Sequence, residues 1–168
     1  QAAANCQAVV HAAGVPRPAS WRTFRAVHIA GTAAIIKAAQ DAGVKRFVNI
    51  ASQAVLFGGR DLINADDTTP YPTSYIDPYS QTKAQGEQIA LAAHNPQGMT
   101  VLSLRPGVVW GPGDTTVLPI MAKLSRSPMG IPMCGDGSNI ETTTYIDNLT
   151  DAIVTALDAP PAATAKTY

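Results

Sequence analysis

The 168-residue chain is poor in cysteine, in charge and in long apolar runs, and each shortage excludes something. Its two cysteines, Cys6 and Cys134, have neither metal-ligand spacing nor the density of a disulfide framework. They read as reduced thiols of a cytoplasmic protein. His11, His28 and His94 lack the i,i+4 spacing of a helical zinc site, so no metal is expected. Charged residues make up 14% of the chain and sum to zero. The basic ones are scattered and leave no footprint for nucleic acid. Apolar runs such as Ala33–Ile36 are far too short to span a bilayer. Residues 1–13 have no charged start and no long apolar centre, so they do not read as a signal peptide. No internal repeat or low-complexity tract is present.

What is there is apolar and regularly punctuated. Hydrophobic residues reach 46%, and the length suits one domain with a sizeable core. Residues 8–13 form a short apolar run closed by Gly14 and Pro16, which reads as a buried strand. Ser20 is placed to cap a helix whose apolar positions run to Ala39, and Gly43 is placed to stop it. Residues 45–51 predict a second strand, and a polar loop follows over 58–73. Asp77-Pro78 is an N-cap followed by proline at the first helical position, so a helix is predicted from there to about Ala93. Residues 100–104 predict a third strand, broken at Arg105-Pro106-Gly107. Further helices are predicted over 116–125 and 147–157. Strand and helix alternate, which implies an α/β fold: a parallel sheet with helices on both faces. Ligands of such sheets bind beyond the carboxyl ends of the strands. His11–Gly14, Ser52, Arg105–Gly107 and the start of the helix carrying Tyr79 are all expected there.

Tyr79-Ser80-Gln81-Thr82-Lys83 places a phenol and an amine four residues apart. On the predicted helix they share one face, one turn apart. A lysine ammonium near a tyrosine hydroxyl favours the phenolate, whose pKa otherwise sits near ~10. Such a pair suits proton transfer in the interconversion of an alcohol and a carbonyl. The spacing alone is common, and it gains weight from the capped helix that carries it. Met121, Met129 and Met133 fit either an apolar substrate pocket or core filler.

In order along the chain, the segments resemble the extended short-chain dehydrogenase/reductases. Val9–Ala13 resembles that family's strand beneath the cofactor, and Ala30-Gly31-Thr32 its Asn-x-x-Gly-Thr helix. Phe47–Val55 resembles the strand carrying its catalytic Ser or Thr, with Ser52 in that place. Tyr79 to Lys83, with Glu87 beyond, resembles its catalytic helix. Leu104–Asp114 resembles its nicotinamide-side loop. Gly135-Asp136-Gly137 and Thr144–Leu149 most resemble the branch of 3β-hydroxysteroid dehydrogenase/isomerases.

The resemblance implies a Rossmann-type sheet, the cofactor NAD or NADP, and a small-molecule substrate, with a homodimer as a further expectation. It implies Ser52, Tyr79 and Lys83 as catalytic residues. It implies Ala12, Ala13, Gly14, Pro106, Gly107 and Val109, together with Tyr79 and Lys83, as cofactor contacts. Residues 1–130 would belong to the dinucleotide-binding domain, and 131–168 to the start of the substrate-binding region and a returning helix. The implied reaction is secondary alcohol to ketone on a lipophilic, steroid-like substrate. A nucleotide-sugar epimerase and a non-catalytic NAD(P)-binding or truncated protein are the alternatives.

Three features depart from the family pattern. No Gly-x-x-Gly-x-x-Gly turn is present; Gly111-x-Gly113 and Gly135-x-Gly137 lack the third glycine. The chain therefore reads as the central piece of a protein about twice as long, lacking the N-terminal βαβ cofactor half and most of the substrate domain. On its own it is expected to bind cofactor weakly. His28 stands where the family has Asn, and it is expected to be a packed helix residue rather than a catalyst. Ala51 replaces a common serine just before Ser52.

Overall fold

The computed structural model describes residues 3–128, 130–133 and 135–168. Met129 and Cys134 lie outside the described residues. The chain divides into two compact units, Gln1–Arg105 with Ile153–Tyr168, and Pro106–Ala152.

In the first unit, β1 (Ala8–His11), β2 (Arg46–Ile50) and β3 (Thr100–Leu104) form a parallel sheet in that order. Val9 pairs with Phe47 and Phe47 with Val101; His11 pairs with Asn49 and Asn49 with Ser103. Phe47 and Val101 are fully buried on one face, Val48 fully and Leu102 almost fully on the other. Burial on both faces is why these strands read as continuous apolar runs rather than alternating ones. The carboxyl-terminal segment extends the sheet beside β3. Ser103 donates its N–H to the Lys166 carbonyl, and Tyr168 donates back to the Ser103 carbonyl at 2.9 Å.

The helix predicted after Ser20 is present with one change. The Ser20 hydroxyl accepts the Thr23 N–H at 3.1 Å and starts α1 (Trp21–Phe24). A π-helical turn follows over Arg25–Gly31, and α2 (Thr32–Asp41) completes the element before Gly43, at φ +73°. The wider turn was not expected. It sits where the packing of α3 (Pro78–Ala92) presses closest: a Cβ on Gly86 would collide with the carbonyl of His28. α3 begins as predicted, with Asp77 Oδ1 accepting the Ser80 N–H at 2.8 Å and Pro78 in the first turn. Ile36 and Ala39 of α2 and Ala90 of α3 join Phe47 and Val101 in one core.

In the second unit, β4 (Val108–Trp110) pairs in parallel with β5 (Thr143–Tyr145). Asp114 anchors the start of α4 (Val117–Ser125): its carboxylate accepts the N–H groups of Thr116, Val117 and Leu118. Those backbone donors hold its carboxyl down at about 2. α5 (Ile146–Leu157) follows β5 directly, and from Ile153 on its residues belong to the first unit.

Candidate active site

Lys83 is fixed by the strand end next to it. Its Nζ donates to the Ile50 carbonyl at 2.8 Å, at the carboxyl end of β2. Burial lowers its pKa to about 8, with Glu87 pulling the other way. Ser52 lies two residues beyond Ile50. It caps a short 3₁₀ turn, Gln53–Leu56, its hydroxyl accepting the Ala54 N–H at 3.2 Å. Gly14 also lies close to Lys83. A Cβ built there would stand 3.9 Å from Lys83 Nζ and 3.8 Å from His28 Nε2. Gly14, Ser52 and Lys83 therefore gather at the ends of β1 and β2, on the side the sequence predicts. Ala12 and Ala13 are exposed just past β1.

Tyr79 opens α3 one turn before Lys83 and is half-buried. Its ring meets Phe24 and His28 edge-on, at centroid separations of 5.8 and 5.5 Å. The guanidinium carbon of Arg17 stands 4.4 Å from the ring centroid. The phenol is thus held by contacts on several sides. Pro106, Gly107 and Val109 belong to the second unit. There the Gly107 N–H donates to Thr144 Oγ1 at 3.0 Å, and Val109 pairs with Thr144.

Sequence reasoning missed the polar chain behind Tyr79. Thr82 Oγ1 donates to the Pro78 carbonyl at 2.8 Å, so it accepts from His28 Nδ1 at 3.0 Å. His28 Nε2 is then the acceptor that receives the Val15 N–H at 3.1 Å. Thr32 Oγ1 donates to the His28 carbonyl at 2.7 Å and accepts from His11 Nε2 at 3.0 Å. Burial, then the charge of Lys83, lowers the His28 pKa to about 4. The same two causes lower that of His11. Both rings are neutral at pH 7. A polar cavity of about 10 Å³, room for about one water, lies among His11, His28, Asn49 and Lys83. The four-residue spacing of His28 and Thr32 was the available signal.

Glu87 locks α3 to β3. Fully buried, it accepts from Ser103 Oγ at 2.7 Å, Tyr71 Oη at 2.7 Å and Arg105 Nη2 at 2.8 Å. Asn49 extends the network by donating to Ser103 Oγ at 2.9 Å. Burial and Glu87 raise the Tyr71 pKa well above the usual phenol range. A buried ion pair adds little net stability, but removing one partner is costly. Its structural effect here is to fix the height of the helix carrying Tyr79 and Lys83.

The residues present fit the nicotinamide-ribose end of a dinucleotide. Lys83 has three donors, and Ile50 takes one. Beside it Gly14 leaves the backbone uncovered by a side chain, which permits close approach.

The pattern of the 3-beta hydroxysteroid dehydrogenase/isomerase family matches residues 1–163. The sterol-4-alpha-carboxylate 3-dehydrogenase, decarboxylating, of Candida albicans is 35% identical over 155 residues, 90% of this chain and 43% of its own length. A 3-beta-hydroxysteroid dehydrogenase of Mycolicibacterium neoaurum is 44% identical over 96 residues, 57% of this chain and 26% of its own. Among solved structures, MoeE5 in complex with UDP-glucuronic acid and NAD superposes with a TM-score of 0.75 at 27% identity, over 94% of this chain and 54% of that one. The chain thus spans less than half the length of these curated relatives.

Proposed function

Because the chain belongs to the 3-beta hydroxysteroid dehydrogenase/isomerase family, we propose that the protein is an NAD(P)-dependent oxidoreductase interconverting a secondary alcohol and a ketone on a lipophilic, sterol-like substrate. The observation that carries this reading is the gathering of Lys83, Gly14 and Ser52 at adjacent strand ends, with Tyr79 one turn before Lys83 on α3.

Each residue has a role in the proposal. Tyr79 takes the proton from the substrate hydroxyl in oxidation and returns it in reduction. Ser52 donates a hydrogen bond to the substrate oxygen and holds it toward Tyr79. Lys83 binds the ribose hydroxyls and supplies positive charge on the same helix face. Ala12, Ala13 and Gly14 let the cofactor approach the backbone. The bound nicotinamide, of NAD or NADP, accepts or gives the hydride. Proton transfer of this kind contributes ~10²–10⁴ in rate. A homodimer and a cytoplasmic location belong to the same proposal, the latter supported by the sparse cysteines.

The test is a substrate panel with the full-length protein. Reduction of the nicotinamide with a 3β-hydroxysteroid, and none with UDP-hexoses, is expected. Epimerisation of a UDP-hexose without steroid turnover would favour the sugar-nucleotide reading, which the likeness to MoeE5 keeps open.

A further inference from the structure

The segment after β1, residues 12–19, has almost no hold of its own. Ala12, Ala13 and Gly14 are exposed and Val15 is half-buried. Among the described residues, this segment makes no backbone–backbone hydrogen bond. Its hydrogen bonds run through two side chains, and both lead to α3. The Val15 N–H donates to His28 Nε2 at 3.1 Å, and His28 Nδ1 donates on to Thr82 Oγ1 at 3.0 Å. Arg17 Nη2 donates to Asp77 Oδ2 at 2.7 Å and to Ser80 Oγ at 3.2 Å, in the cap and first turn of the same helix. The two ties reach α3 at 77–80 and at 82, the stretch that presents Tyr79 and Lys83.

The imidazole that holds Val15 is itself fixed. It is buried, stacked on Phe24 at a centroid separation of 5.4 Å and met edge-on by Tyr79 at 5.5 Å. It also flanks the bare backbone of Gly14, since a Cβ there would stand 3.8 Å from His28 Nε2 and 3.9 Å from Lys83 Nζ. The hydrogen-bond chains through the histidines end on backbone carbonyls: Thr82 Oγ1 donates to Pro78, and Thr32 Oγ1 to His28. The arrangement therefore holds backbone in place rather than conducting a proton. We infer that His28 is a positioning residue: with Arg17 it clasps the segment after β1 to α3, and so holds the Gly14 backbone ready for the cofactor beside Lys83. A segment ordered before binding loses less freedom when a ligand seats on it. This rests on the oxidoreductase reading above, in which residues 12–14 touch the cofactor.

The test is cofactor Kd, read from nicotinamide fluorescence with NADH and NADPH, in the full-length protein at neutral pH. The unmodified protein is compared with His28→Gln and His28→Asn. A glutamine amide reaches as far as Nε2, and its oxygen accepts the Val15 N–H. An asparagine amide reaches only as far as Nδ1 and keeps the Thr82 side alone. Both lack the ring, so lost stacking is common to the two. The net worth of one hydrogen bond converts to about two- to tenfold in an equilibrium constant. His28→Asn should therefore bind cofactor about two- to tenfold more weakly than His28→Gln. Arg17→Met removes the other tie at a half-exposed position, and should weaken Kd in the same direction. Equal Kd in His28→Gln and His28→Asn would overturn the clasp, whatever the melting temperatures do, because His28 would then only pack. An unchanged Kd in Arg17→Met would overturn it too, and decides the matter if neither His28 variant folds. Binding of neither NADH nor NADPH by the unmodified protein would overturn the oxidoreductase reading itself, and the role of His28 with it.

Discussion

His28 has both ring nitrogens committed, Nδ1 as donor to Thr82 and Nε2 as acceptor from Val15. Only the neutral ring fits both partners. Burial, then the charge of Lys83, holds its pKa near 4, against 6.5 for a free histidine. The sign of the consequence follows from proton uptake. Between pH 6.5 and 4 the unfolded chain binds a proton that the folded chain refuses, so stability falls as pH drops across that window. It levels off below about 4, and above 6.5 the contribution is complete. At 1.36 kcal/mol per unit the effect is about 3 kcal/mol. Urea unfolding midpoints from pH 7 to 4 should show this decline, with His11 adding to it in the same direction. His28→Asn should be less stable at pH 7 and show a visibly shallower decline. Equal slopes in both proteins would contradict the assignment of a neutral, buried imidazole. The sequence marked His28 as a packed helix residue. It did not reveal the partners, since Thr82 lies 54 residues away.

At the scale of elements, local signals were the readable ones. Asp77-Pro78 located the start of α3, Gly43 the end of α2, and three apolar runs the parallel strands, because capping and burial are written in neighbouring residues. The π-helical turn over Arg25–Gly31 was not readable. It accompanies the close approach of α3, which depends on Gly86 more than fifty residues downstream. Gly86 lies within α3, where glycine costs up to ~1 kcal/mol relative to alanine. The helix preference of alanine and the collision with His28 therefore oppose each other in Gly86→Ala. Forcing a methyl into close packing costs typically ~1–3 kcal/mol, so the collision should win by about 1 kcal/mol. A melting temperature lower by roughly 2–4 °C is expected for a chain of this size. A melting temperature equal to or above that of the unmodified protein would show that the two helices do not need the bare backbone there.

For the whole molecule, the parallel sheet and the strand ends beside which Lys83 and Gly14 lie followed from the alternation of strand and helix. Lys83 reaches the carboxyl end of β2, and Gly14 lies beside it past β1, where that alternation puts ligand chemistry. What the sequence could not supply was the set of long-range contacts that hold α3 at its height. Tyr71, Ser103 and Arg105 converge on Glu87 from 16 to 18 residues away, and Arg17 reaches Asp77 across 60. Neither pairing has a local pattern. The central claim is that Tyr79 is the acid/base of an alcohol–ketone interconversion, and Tyr79→Phe tests it most directly. Phenylalanine keeps the ring against Phe24, His28 and Arg17 and removes only the hydroxyl. Steroid-dependent reduction of the nicotinamide by the full-length protein should fall by ~10²–10⁴ or more, with cofactor Kd nearly unchanged. Turnover retained within a few-fold of the unmodified protein would contradict it.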